Sequence, residues 1–362
     1  MSSIKVKFVS RKINKVRWVP KSTTKFITGS YNDDDNNLSV WKFPSSQTEN
    51  GDIDNCFEDF EPVTVCTKPF SGDVTDLKVF SEDFIFASSS RGSICAFKLS
   101  DDQLETLHTW ENAHSFCGGT ASTTGISVKG DNLASVGEDG RLCIFNINTK
   151  QNIKEIESSD LCSFTCICHL RHQEIVAGNS LGYLRLWDLR NPSNTPSCLL
   201  IVSREQKTVT CLNTHPTQPH ILATGYEDGS LCMWDMRHEK KPMSLMEAHT
   251  AAVSELLFHP INPDFLYTSS IDGTLWQWDS TKMKNNLTAV KTGKNPNVDL
   301  EMNQDSTKGN PWLNCEANKH KLEITGLFSQ SWSCVNSLDI NDSILLWGTD
   351  NEALCIINDI IV

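Results

Sequence analysis

One pattern occurs twice between His215 and Asp279, and it limits what the chain can fold into. The first copy reads His215-Pro216, Ile221-Leu222-Ala223-Thr224-Gly225, Glu227-Asp228-Gly229 and Leu231-Cys232-Met233-Trp234-Asp235. The second reads His259-Pro260, Phe265-Leu266-Tyr267-Thr268-Ser269, Ile271-Asp272-Gly273 and Leu275-Trp276-Gln277-Trp278-Asp279, 44 residues later. Asp-Gly between two apolar runs is a hairpin signal, because the turn needs a positive φ that glycine reaches without steric penalty. Each copy predicts two antiparallel strands joined by a tight turn and ended by Trp-Asp. Self-similarity at this period marks a repeat architecture.

The template recurs along the chain. A run at Val16 to Val19 leads into Phe26 to Gly29, a turn at Asn32 to Asn37, Leu38 to Trp41 and a fourth strand at Val63 to Cys66. The second unit has Val74 to Phe80, Phe84 to Ser88, Ser93 to Phe97 and Leu104 to Trp110. The third has Gly125 to Val128, Leu133 to Gly137, Leu142 to Phe145 and a strand near Ile153 to Ile156. The fourth has Phe164 to Leu170, Ile175 to Gly178, Leu184 to Asp188 and a strand near Cys198 to Val202. The opening copies, with first strands at Val209 and Val253, are the fifth and sixth. The last has Val335 to Ile340, Ile344 to Gly348 and Ala353 to Ile357.

The third-strand markers are Trp41, Phe97, Phe145, Trp187, Trp234, Trp278 and Ile357. Most are 42 to 56 residues apart; the last interval is 79. Residues 280–320, rich in Asn, Lys, Thr and Gly and without periodicity, account for the excess. They are expected to form a mobile loop inserted in the sixth unit, whose fourth strand resumes at Lys321 to Leu327. The seventh unit lacks a fourth strand, and the run Ile4 to Val9 lacks a hairpin partner. Pairing the two ends closes a ring and removes open edges.

Length alone suggests two or three domains, but a toroid of 362 residues can be one. No apolar run approaches the roughly 18 residues of a membrane-spanning helix. The N-terminus shows no secretory segment, so an intracellular protein is expected. Cys95, Cys143, Cys232 and Cys355 each precede a third-strand marker by two residues. They read as one repeated, buried apolar position in a reducing compartment. The net charge of −13 disfavours nucleic-acid binding. Residues 1–25 nevertheless carry eight cations and no acid, leaving 24 basic and 45 acidic residues elsewhere.

With Trp187-Asp188, Trp234-Asp235, Trp278-Asp279 and the His-Pro pairs at 215 and 259, the chain resembles the WD40 repeat family. The resemblance implies an all-β fold: a single seven-bladed β-propeller over residues 1–362, closed by pairing the N-terminal strand with the last blade. In that family His, Ser or Thr, Asp and Trp form a buried structural tetrad, matched in the sixth unit by His249, Thr268, Asp272 and Trp278. The third unit has His114 and Asp139 but Phe145, which cannot donate. A catalytic reading of His249 and Asp272 is possible, since His–Asp pairs orient bases, but a repeat position explains both without chemistry. Cys162, Cys166, Cys168 and His169 lack the Cys-x-x-Cys spacing of a zinc site. No catalytic, cofactor-binding or metal residue is assigned.

Two Trp-Asp-x-Arg tetrapeptides, Trp187 to Arg190 and Trp234 to Arg237, admit a second function: substrate receptor of a cullin-based ubiquitin ligase. The alternative is that each Arg pairs with a local carboxylate. In the basic N-terminal segment, Lys12, Lys15 and Arg17 are a candidate partner-docking patch; a solvated edge face is the plainer reading.

The run Lys7-Phe8-Val9-Ser10, Lys12-Ile13, Lys15 and Arg17-Trp18 is similar to that of the nucleoporin-43 family, the WD-repeat subunit of the Y-shaped nuclear pore scaffold. So are Gly137 to Arg141, Asp272 to Asp279, Leu322 to Thr325 and the position of the late insertion. The resemblance implies a non-enzymatic scaffold subunit without cofactor, bound to other nucleoporins of the Y complex, including an α-solenoid of its short arm. It further implies location at the nuclear pore, support of pore assembly and of mRNA and protein transport, and a place at kinetochores in mitosis. Direct nucleic-acid binding and membrane insertion are not expected.

Overall fold

A computed structural model describes residues 4–44, 61–157, 162–202, 206–237, 242–282, 310–314 and 322–360. Among them, seven four-stranded antiparallel sheets form the seven blades of a propeller. Blade one runs from Ile13–Trp18 to Val63–Pro69, blade two from Val74–Val79 to Gln103–Trp110, and blade three from Thr123–Lys129 to Asn152–Glu157. Blade four runs from Phe164–Arg171 to Cys198–Ile201, blade five from Val209–Thr214 to Ser244–Glu247, and blade six from Val253–Phe258 to Glu323–Ser329. Blade seven joins the two ends of the chain. Its outer strand, Ile4–Phe8, pairs antiparallel with Ala353–Ile357, Val6 opposite Cys355. The alternating N-terminal run thus finds its partner more than 340 residues away.

The core lies between blades, not within them. Each buried cluster joins the facing sides of two neighbours: Ile144 and Ile156 of blade three against Phe164 and Trp187 of blade four, for example. A strand in the middle of a blade must therefore be covered on both faces, which is why the third strand of blade five, Ser230–Asp235, is buried at every position. The third-strand markers occupy one register position, Trp234 opposite Leu222 and Trp278 opposite Leu266. Cys143, Cys232 and Cys355 are buried, and burial pushes each thiol up to about 12. They remain protonated packing groups. Gly229 and Gly273 sit in the Asp-Gly turns at φ of 84° and 82°, and a Cβ on Gly273 would meet the Gln330 carbonyl. The turn of blade seven reaches the same backbone region with Glu352, at φ 56°.

A second repeated feature binds each blade to the next. The innermost strand of every blade carries a register shift at its second residue. Such an extra residue bends the strand and re-aims its side chain. In six blades the residue is Asn14, Thr75, Thr124, Thr165, Ser254 or Asn336, and its side chain donates to the first carbonyl of the next blade's inner strand. Asn14 reaches Val74 O at 2.6 Å, Thr75 reaches Thr123 O at 2.5 Å and Thr124 reaches Phe164 O at 2.7 Å. Thr165 reaches Val209 O, and Ser254 reaches Val335 O at 2.5 Å. Asn336 reaches Ile13 O at 2.9 Å, carrying the stitch across the closure. At the junction of blades five and six, Thr210 turns to the Cys211 sulfur, and only the Cys211 thiol meets Val253 O, at 3.7 Å.

The stitches separate in a paired experiment. Thr124→Val leaves the buried Phe164 carbonyl without its donor and should cost about 1–3 kcal/mol. Thr210→Val, which removes no stitch, should cost less than about 0.5 kcal/mol. Urea unfolding of both variants checks the difference.

Candidate functional site

The sixth-blade residues His249, Thr268, Asp272 and Trp278 come together, but not as a simple relay. Trp278 Nε1 donates to Thr268 Oγ1 at 2.9 Å, and His249 Nε2 lies 2.8 Å from the same oxygen. On the other side of the ring, His249 Nδ1 meets Thr274 Oγ1 at 2.7 Å, and Thr274 Oγ1 donates to Asp272 Oδ1 at 2.6 Å. Asp272 itself stands 3.8 Å from His249. Thr274, which the sequence pattern did not single out, is interposed, so the imidazole is held between two hydroxyls. Burial pushes His249 down to about 4 and keeps it neutral. Against burial, hydrogen bonds from Thr274 and Thr250 hold the Asp272 carboxylate below its usual range. This is the geometry of a satisfied buried network, without a His–Asp contact that could orient a base.

Related blades show how the network degrades. His114 of blade three contacts Asp139 at 2.9 Å and Ser135 at 2.9 Å, and Phe145 stands at the marker position without a donor. In blade five Trp234 donates to Thr224 at 3.0 Å, and the Tyr226 hydroxyl replaces the histidine on that oxygen. Cys162, Cys166, Cys168 and His169 do not converge. The Cys162 sulfur takes a hydrogen bond from Asn179, Cys166 faces Val209 O, and His169 Nδ1 is 2.8 Å from Ser127 Oγ.

Lys12, Lys15 and Arg17 are all half-buried, and Arg17 in particular is turned inward. Its strand is innermost in blade one, so Lys15 and Arg17 line the central channel, a cavity of about 270 Å³. Arg17 forms an ion pair with Glu255 of blade six and lies 3.9 Å from Asp76 of blade two. It also donates to Leu77 O of blade two at 3.1 Å and to Ser337 Oγ of blade seven at 3.0 Å. One guanidinium therefore ties its own blade to three others. Burial opposes this charge, and the carboxylates of Glu255, Asp339 and Asp76 outweigh that and raise the Arg17 pKa. Burial would raise Glu255 as well, but Arg17 and Lys15 hold it down at about 2. Asp339, which accepts the Trp18 amide at 2.7 Å, is pushed by burial up to about 6. Sequence reasoning missed these acids. The signal was present: Asp76 and Glu255 both follow a Val-Thr or Val-Ser pair at the start of an inner strand.

Both Trp-Asp-x-Arg arginines are held by their own aspartates. Arg190 forks onto Asp188 at 2.9 and 2.6 Å, and Arg237 onto Asp235 at the same distances. Most of the polar, acidic stretch 44–61, expected from sequence to be a loop, and most of the insertion at 280–320 lie outside the described residues. The insertion has one described anchor. Pro311–Asn314 forms a single 3₁₀ turn whose Trp312 is buried against Phe258 and donates to Pro263 O at 2.8 Å.

Two outcomes are expected. Arg17→Ala leaves Glu255 buried without its partner and should destabilise by about 3–5 kcal/mol, read by urea unfolding. His249, His215 and His169 are all held near 4 when folded, below the unfolded value of about 6.5. Between those values the unfolded chain binds more protons, so stability should fall as pH drops from about 6.5 towards 4. His249→Gln should melt lower at pH 7.5 and show a shallower pH dependence in the same titration of Tm.

A family model described as the nucleolar protein 10-like N-terminal β-propeller domain matches residues 125–318. Nucleoporin Nup43 of Mus musculus is 34% identical over 375 aligned positions, covering 98% of each chain. Nucleoporin Nup43 of Homo sapiens matches with the same identity and coverage. The nuclear pore complex protein nup43 of Dictyostelium discoideum is 24% identical over 71% of this chain and 79% of its own. With similarity at this level from end to end, the chain belongs to the Nup43 family of nucleoporins.

Proposed function

We propose that the chain is a non-enzymatic scaffold subunit of the nuclear pore Y complex. The observation that carries the proposal is the match to Nup43 over 98% of both chains, at 34% identity. A full-length match of that kind covers the blades, the closure and the placement of the insertion together. In this reading the propeller holds other nucleoporins, an α-solenoid of the short arm among them, at the nuclear envelope. It thereby supports pore assembly and the transport of mRNA and protein, and it accompanies the complex to kinetochores in mitosis.

The site chemistry supports a binding role. His249 and His114, the side chains best suited to acid–base work, are engaged on both ring nitrogens by structural partners. Among the described residues, no group of three or more His, Cys, Asp or Glu is placed to hold a metal ion. The ubiquitin-ligase reading loses its motif to local structure, because Arg190 and Arg237 each close a turn onto the preceding aspartate.

Affinity purification of a tagged copy expressed at its native level separates the two. Y-complex nucleoporins should be recovered in amounts comparable to the bait. Recovery of a cullin and its adaptor without those nucleoporins would overturn the proposal.

A further inference from the structure

Trp312 shows what one groove of this ring accepts. The turn Pro311–Asn314 lies at the junction of blades five and six, and its indole packs in one cluster with Met233 and Phe258. Three contacts frame it. Asn310 Nδ2 is 3.3 Å from His215 Nε2, the Phe258 ring stands edge-on at 5.7 Å, and Trp312 Nε1 donates to Pro263 O at 2.8 Å. With the turn in place the groove is closed: Trp312, Met233 and His215 are all buried.

The junction of blades two and three carries the corresponding groove without the tryptophan. Register identifies the positions. Phe80 and His215 each follow an inner strand, and their amides donate back across the hairpin to Phe84 O and Ile221 O. Ala96 and Met233 each precede a third-strand marker, opposite Phe86 and Ala223. Asp131 O and Asp264 O each accept the amide that follows the third strand, from Ile147 and from Ser280, so Gly130 stands where Pro263 does. Phe80, Phe86, Ala96, Gly130 and Ile147 line a cavity of about 410 Å³ here, of a size that holds small ligands. One wall is fixed by Trp110, which donates to Lys150 O at 2.9 Å and packs on Phe145. The mouth is apolar and open, with Phe80 45% and Leu107 39% exposed. Equivalent positions of a repeat build equivalent surfaces, and among the described residues no side chain does here what Trp312 does there.

We propose that the groove between blades two and three receives a tryptophan side chain from a turn of a partner protein, seated as Trp312 is seated between blades five and six. The indole enters over Phe86 and Ala96, and its N–H donates to the Gly130 carbonyl, the counterpart of Pro263 O. The substitutions leave room for it. Val128, opposite Leu133, stands where Phe258, opposite Leu266, covers the bound ring, and Gly130 has no side chain where Pro263 has one. An apolar body with a single donor is what such a site selects, and tryptophan is the usual anchor of that kind. The inference concerns how a partner is held and stands independently of which complex the chain joins.

The test uses the full chain and a capped peptide of residues 309–314, Gly-Asn-Pro-Trp-Leu-Asn, made with fluorotryptophan and titrated by fluorine NMR. The fluorine line should broaden on binding. The unlabelled peptide should compete about tenfold or more better than one with alanine in place of tryptophan. Phe80→Asp, at a half-exposed position, should weaken binding about tenfold or more with little change in Tm. Phe8→Asp, on the exposed strand of blade seven, should leave binding unchanged. Should Phe80→Asp fail to fold, Leu107→Asp should weaken binding to the same extent. Equal competition by the alanine peptide, indifference to both groove substitutions, or equal weakening by Phe8→Asp would overturn the proposal. So would binding that appears only after deletion of 45–60, which holds Phe57 and Phe60, since the groove would then belong to that stretch of the chain. A dimer in sedimentation that Phe80→Asp dissolves would also overturn it, by assigning the groove to a second copy, whose Trp332 is 71% exposed.

Discussion

The structure depends on how each inner strand is fastened to its neighbour. A propeller blade is a small twisted sheet that buries both faces and cannot stand alone. Apolar contact between blades is strong but non-directional, and it would tolerate sliding. The bulged Asn, Thr or Ser at the second position of the inner strand removes that freedom. It places a donor against one particular carbonyl of the next blade, in a buried setting where an unmet carbonyl is costly. The result is a fixed angle at six of the seven junctions, the last of them where the ring meets itself at Asn336 and Ile13. Close packing takes the same direction: a Cβ on Gly348 would collide with Ile13, and one on Gly29 with Val74.

Arg17 adds a different kind of constraint. Stitches act between adjacent blades, whereas the guanidinium reaches across the channel to Glu255 and engages blades one, two, six and seven at once. These flank the closure, where the chain ends meet and covalent continuity is missing. The buried ion pair is tolerable because both members have further hydrogen bonds, with Ser337 and the Leu338 amide on the Glu255 side. Cations that read as a surface patch in the sequence are therefore partly structural.

The ring, its blade count and its closure were legible because period-two alternation and Asp-Gly turns are local signals. The tetrad residues were legible for the same reason, but Thr274 was not, since a threonine after a turn glycine is unremarkable until its hydroxyl is placed. The inward turn of Arg17 was hidden because alternation says which residues share a face and not which face is buried. The same ambiguity applies to the first strand, where Ile4, Val6 and Phe8 share a face that is left exposed. The stitch was readable as Ile-Asn, Val-Thr, Thr-Thr, Phe-Thr, Val-Ser and Val-Asn at six inner strands, but a polar residue beside an apolar one looks like ordinary alternation, and Val209-Thr210 reads the same without making one. Trp312 lies in a stretch without periodicity, so nothing marked it as an anchor.

A family of scaffold propellers needs a rigid interior and a rim left free for partners, and the polar groups here divide accordingly. Inner-strand hydroxyls, amides and charges are spent on the ring, while among the described residues no further strand pairs with the outer strands. Stitches and closure make the seven inner strands one cooperative unit, although blade seven is assembled from both ends of the chain. Native-state hydrogen exchange across the molecule tests this most directly. Inner-strand amides of all seven blades should exchange with one common opening free energy, equal to that of global unfolding. Inner strands of blade seven or blade one opening at a distinctly lower free energy than the others would contradict it.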